Sequence, residues 1–363
     1  MQGPERIDPP FATGRQALCF AVVLAAILLL PAALFSFGAV TREDVYRRIP
    51  NEWGGFPFIH RQIFEEQGEI DILILGTSLL YQALDTPYLQ QELTSITGRN
   101  ARVVSFGTNW RCELLNYLLL RDLLQRRKVR MLVFSMPVWY QDDDLPHLQS
   151  HRWLLFGTDD AAWRGLPFRN RLTSYAQSVL GAPRHVLGLL RDDLVTDSPF
   201  SATLGAGKIE KGIPPAGFVR WMPSPRALRP GTMIYSSDTR SRFHFTRQPL
   251  NDYQMHFLRM SFELLERYRV PVVLVHVPLW SERYRTVVDE RMPWPEVFGK
   301  DIAMVGVPPT TLFAGLSEAE MGRLFYNQEN FENHHFNRNG NEFFTRTIAP
   351  AILQLYERHV PRF

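Results

Sequence analysis

Four short apolar runs, Ile70–Leu75, Ala101–Phe106, Val129–Ser135 and Val270–Val277, are ended by Gly76, Gly107, Met136-Pro137 and Pro278 in turn. Stretches with helical spacing separate them. One opens at Asp85-Thr86-Pro87; others cover Cys112–Arg127 and about Tyr253–Tyr268. A last one, about Asn341–Glu357, puts Phe343, Phe344, Ile348, Ile352 and Leu355 on one face. Continuous apolar runs of this length fit strands buried on both faces. Strands alternating with helices close into a parallel sheet covered on both sides. The pattern predicts an α/β domain of three layers, α/β/α, over residues 70–357. Between the third and fourth runs, about 140–250, tryptophans and prolines such as Trp153, Trp163, Pro214 and Pro215 follow no steady period. So long a stretch is not a plain loop, and it reads as a cap inserted over the sheet edge.

The N-terminus adds a second constraint. From Ala17 to Val40 no residue is charged. At about 1.5 Å per residue, a helix of that length spans a bilayer core of roughly 30 Å. A secretory signal is the competing reading, but its apolar region is normally about 7–15 residues. The expected organisation is a cytoplasmic head over 1–16, a single transmembrane helix over 17–40, a juxtamembrane lead over 41–69, and then the domain. Arg6 and Arg15 precede the span while Arg42, Arg47 and Arg48 come after it, so the positive-inside count leaves orientation open. A short head and a long body make export of the body the simpler topology. The expected location is the cytoplasmic membrane, with the main domain on its outer side.

Composition excludes several classes. Apolar residues make up 45% and charged residues 21%, which is a folding rather than a disordered chain. The net charge is +3 with no block of basic residues, which argues against a nucleic-acid partner. Two cysteines, Cys19 and Cys112, make no disulfide framework.

Chemistry concentrates at two places. In "DILILGTSLLYQALD", 71–85, the first strand delivers Ser78 to its own end. Ligands of open parallel sheets bind beyond the carboxyl ends of the strands, where Ser78 and Gly107 both fall. Near the C-terminus, "FENHHFNRNGNEFF", 331–344, puts His335 just before the last helix, with Glu332 three residues earlier. A serine needs a base to act as a nucleophile, histidine is the usual one, and an acid orients it. Each piece has a plainer reading. Ser78 fits the cap of a strand-to-helix turn, and His335 a helix start capped by Asn337 or Asn339. With 23 glycines, about one or two Gly-x-Ser triplets arise by chance. The Gly-x-Ser-x-Gly elbow of α/β-hydrolases is not met, since Leu80 holds the last position. His334 and His335 make a poor metal pair because neighbours point apart. His276, inside an apolar run, reads as a core or rim histidine, and Asp142–Asp144 as a solvated turn.

Taken in order, these motifs are a strand leading into Gly-x-Ser, a glycine after the next strand, and acid-x-x-His-hydrophobic-Asn-x-x-Gly at the end. That order resembles the SGNH/GDSL hydrolase superfamily. With a single anchor, Gly-Thr-Ser and "HFNRNG", the chain looks like membrane-tethered members, the D-alanyl transfer proteins of teichoic acid and the O-acetylation proteins of exopolysaccharide assembly. The resemblance covers roughly 70–140 and 253–357. It implies a flavodoxin-like SGNH fold, with Ser78 as nucleophile, His335 as base and Glu332 as orienting acid. Gly107, and Asn109 by its side chain, would serve the oxyanion hole. No cofactor is implied. The implied activity is a serine esterase or O-acyltransferase on an envelope or exported polysaccharide. Its partners would be an acylated glycan or lipid-linked substrate and a multipass membrane acyltransferase. Three departures stand: threonine replaces the aspartate of the family name, Glu332 replaces aspartate, and the Gly-x-Asn-Asp block after the third strand is absent. The last two favour the alternative of a non-catalytic SGNH-like glycan-binding or scaffold protein.

Overall fold

The computed structural model describes residues 13–47, 49, 55–108, 113–135, 167–169, 171–173, 175–176, 179, 221–235, 243–245, 252–290, 302–325 and 335–360. In chain order, α1 (Gly14–Ser36), α2 (Arg42–Arg47), α3 (Phe56–His60) and a π-helical turn (Arg61–Glu65) precede β1 (Ile70–Thr77). Then come α4 (Ser78–Ala83), α5 (Thr86–Thr97), β2 (Val103–Thr108), α6 (Glu113–Leu124) and β3 (Val129–Ser135). Next are β4 (Ile234–Tyr235), β5 (Phe243–Phe245), α7 (Asp252–Arg267), β6 (Val272–Val275), β7 (Val288–Glu290), β8 (Ala303–Val305) and α8 (Arg338–His359).

Six strands form one sheet in the order β2-β1-β3-β6-β8-β4; the first five run parallel and β4 runs antiparallel on the edge. β5 and β7 pair separately. The central strands are buried along both faces, as their unbroken apolar runs require. Alternate side chains divide the core. Leu73, Leu75, Val104, Phe106, Leu132 and Phe134 pack under α6 and α7. Ile72, Ile74, Val103, Met131 and Val133 pack under α4, α5 and α8. The chain leaves β1 toward β2 on one side and then crosses to β3 on the other, so the order reverses at β1, and the crevice beyond its carboxyl end is the expected ligand position.

All four expected strands are present. β8 and β4 are additional; they are three and two residues long, too short to show any periodicity. Part of the central insertion belongs to the body, with Trp221, Met222 and Leu228 packed against the α8 side of the core. The segment before β1 is also core, with Val45, Tyr46, Ile49, Phe56, Ile59 and Ile63 buried.

The N-terminal apolar run is helical. α1 is 23 residues long, about 35 Å, and opens with a reciprocal cap between Thr13 and Gln16. Leu30, Leu34 and Phe35 touch the body, whereas Leu18, Phe20, Val22, Val23, Ile27 and Leu29 are exposed. No helix among the described residues is long and apolar enough to cross a membrane, so the expected transmembrane helix over 17–40 is not supported by α1.

Candidate active site

Ser78 is the first residue of α4, immediately past the carboxyl end of β1, with Thr77 as the N-cap. The Ser78 Oγ lies 2.8 Å from His335 Nε2, across 257 positions of sequence. With the ring proton on Nδ1, Nε2 accepts the hydroxyl proton, the arrangement that activates a serine for attack on an acyl carbonyl.

The start of α8 holds His335 in place. The Asn337 side chain caps the helix, its Oδ1 accepting from the Asn339 and Gly340 N–H groups at 2.9 and 3.2 Å. Its Nδ2 donates to the Arg323 and Phe325 carbonyls at 2.8 and 2.9 Å. Phe336 forms a backbone bridge with Phe325, and their rings stack at 4.6 Å. Gly340 is glycine because a Cβ there would lie 2.1 Å from the Leu324 carbonyl oxygen. The repeated asparagines of "NRNGN" are thus the scaffold of the histidine.

The same helix start grips the serine turn. Asn341 Nδ2 donates to the Gln82 carbonyl at 2.8 Å, and the Thr345 hydroxyl donates to that of Ala83 at 3.0 Å. The Asp85 N–H in turn donates to Thr345 Oγ1 at 2.8 Å. Below, α4 sits directly on small residues. A Cβ at Gly76 would lie 2.6 Å from Ser135 Oγ, and one at Gly107 would lie 2.3 Å from the buried Tyr81 ring. Gly107 stands beside Gly76 in the parallel register. Its lack of a side chain therefore has a packing cause, whatever its N–H contributes.

Glu332 and Asn109 lie outside the described residues. His276 sits at the carboxyl end of β6, two strands from β1, buried, with Nε2 3.3 Å from Glu282 Oε2. No described contact brings it to Ser78. Sequence reasoning missed Asn341, Thr345 and Tyr81, whose partners are remote in the chain or on a neighbouring strand. For Asn337 the signal was its place two residues after the histidine, at a helix start. Comparison with family profiles, with curated proteins and with solved structures finds no match.

Proposed function

We propose that this chain is a membrane-tethered serine esterase or O-acyltransferase acting on an envelope or exported polysaccharide. The observation that carries the reading is the 2.8 Å approach of Ser78 Oγ to His335 Nε2 at the carboxyl edge of a parallel sheet. In the first half-reaction the Ser78 oxygen attacks the acyl carbonyl as His335 takes its proton. The acyl–oxygen bond of the donor then breaks, and its alcohol leaves with that proton. In the second, His335 takes a proton from water or a glycan hydroxyl, whose oxygen attacks the acyl-serine; the acyl–Oγ bond breaks and His335 returns that proton to the Ser78 oxygen. What supports tethering is the exposed apolar stretch of α1 from Leu18 to Leu29, although no described helix is long and apolar enough to cross a membrane. An anchor suits a substrate made or exported at the membrane, with the domain on the outer side.

Labelling of purified full-length protein with a fluorophosphonate, with peptide mapping and ester turnover, tests the reading. Label at Ser78 and a loss of several orders of magnitude in Ser78→Ala are expected. His335→Ala should be about as damaging, and the double variant hardly worse than either single one. Undiminished turnover in Ser78→Ala would overturn the mechanism. The Tyr81 ring over Gly107 favours a second reading, a non-catalytic glycan-binding or scaffold protein, because it removes one reason to assign that glycine to an oxyanion hole. Absence of both label and turnover in the parent would select it.

A further inference from the structure

The segment between α1 and β1 is fastened to one end of the sheet. Arg42 Nε and the Tyr46 hydroxyl, both on α2, donate to the same Asp122 oxygen at 2.7 and 2.8 Å. Asp122 lies in the last turn of α6, on the way into β3. Burial raises its carboxyl pKa, but the Arg42 and Arg121 charges and the bonds from Arg42 and Tyr46 hold it below the usual range. The Arg126 guanidinium stacks 4.6 Å over the Phe64 ring. Arg127 donates to the Gln62 and Gly68 carbonyls at 2.7 and 2.9 Å. All these partners, 122–127, belong to the turn that feeds β3, at the amino edge of the parallel strands.

This is a mount rather than a leash. Residues 42–65 bury apolar side chains in the core, and α1 joins them through a short turn in which the Val40 N–H donates to the Leu34 carbonyl. Leu30, Leu34 and Phe35 of α1 pack on the body, the Tyr175 hydroxyl of the central segment donates to the Leu28 carbonyl, and the apolar side chains from Leu18 to Leu29 are exposed. Ser78 and His335 sit at the opposite edge. β1 runs eight residues from Ile70 to Thr77, which is about 25 Å of strand between the two ends. A domain held by a buried ionic cluster at one end does not swing the other end down without breaking that cluster.

We propose that the Ser78–His335 site faces away from the bilayer and works on esters carried by glycan chains that stand clear of it, not on the headgroups of membrane lipids. This rests on the tethered-esterase reading. A chain extended from its exporter or from the wall reaches such a site, whereas a headgroup at the membrane surface does not.

The test uses the full chain in phospholipid nanodiscs, with Cys19→Ser and Cys112→Ser removing the native thiols. Spin labels are placed singly through Lys128→Cys at the amino edge and Arg338→Cys at the start of α8, and their distances to labelled headgroups are measured. The second label is expected about 25 Å farther from the headgroups than the first. Equal distances, or the reverse order, would overturn the proposal. In the same discs, one acyl ester is offered on a long soluble glycan and on a short saccharide with an embedded lipid tail. A preference of at least about tenfold in kcat/KM for the long glycan is expected; equal rates or the reverse would also overturn it. Failure to enter discs, or failure of a fluorophosphonate to label Ser78, would sink the tethered-esterase reading and the proposal with it. Inserted, labelled protein with reversed distances would sink the facing alone.

Discussion

Gly107 and Gly340 exclude a side chain for different reasons, and the difference is measurable. At Gly107 the obstacle is the Tyr81 ring, a side chain; at Gly340 it is chiefly the Leu324 carbonyl, which is backbone. Gly107→Ala should cost about 1–3 kcal/mol, the usual range for overpacking a filled site. In combination with Tyr81→Ala that cost should largely vanish, giving a strong coupling in a urea-melting double-mutant cycle. Gly340→Ala should be at least as damaging and should not be rescued by Phe336→Ala, because the carbonyl remains. Additive effects at Gly107 and Tyr81 would show that the sheet there yields instead. At this scale the sequence exposed Ser78 and His335 through their positions, one after the first strand and one before the last helix. It could not expose Tyr81, because a glycine shielded by an aromatic ring looks the same as a glycine lining a site.

α8 shows how far an element can be read from its apolar face. The spacing of Phe343, Phe344, Ile348, Ile352 and Leu355 predicts a helix from about Asn341, yet α8 begins at Arg338 because Asn337 caps it. The first turn, "RNGN", has no apolar period, so only the cap chemistry marks it. β4 and β8 were illegible for the related reason that two or three residues carry no period at all. The two halves of the Asn337 side chain can be separated. Asn337→Ala should cost about 1–2 kcal/mol from the lost cap, with a further loss from the unpaired Arg323 and Phe325 carbonyls. Asn337→Asp keeps the acceptor for the Asn339 and Gly340 N–H groups but loses both donors, and should melt between Asn337→Ala and the parent. Fluorophosphonate labelling of Ser78 should slow in both variants, because the Asn337 Nδ2 bonds brace the 323–325 segment against which the Phe325–Phe336 bridge pairs. Parent-like labelling in Asn337→Ala would mean that the Phe325–Phe336 pairing alone positions the ring.

Over the whole molecule α8 ties both ends of the sheet, His335 to Ser78 at one edge and the Tyr356 hydroxyl to Asp71 at 2.7 Å at the other. Burial raises the Asp71 carboxyl pKa, but bonds from Arg99, the Arg102 N–H and Tyr356 bring it below the ordinary carboxylate value. A depressed carboxylate pKa contributes stability that is present above the unfolded value of about 4 and is lost as pH falls through the folded one. The drop in melting temperature below about pH 4 should therefore be shallower in Asp71→Asn than in the parent. A larger claim concerns residues 42–65, whose sequence is mixed and aromatic and reads as a lead from membrane to domain. Their apolar side chains lie in the core, and no periodicity announces this because the pieces are a six-residue helix, a five-residue helix and a π turn. Val45, Tyr46, Ile49, Phe56, Ile59 and Ile63 are each 1% exposed or less. At about 1.5–3 kcal/mol per buried side chain, their removal forfeits on the order of 10 kcal/mol, comparable with the ~5–15 kcal/mol that holds a domain folded. It would also strip Arg42 and Tyr46 from Asp122, leaving a buried carboxylate with Arg121 as its remaining described ion-pair partner. Protein from residue 38 onward should give a cooperative melt, whereas protein from residue 68 onward should aggregate or melt without cooperativity. A cooperative transition in the shorter form would show that the segment is dispensable, and that the sheet and its helices close a core without it.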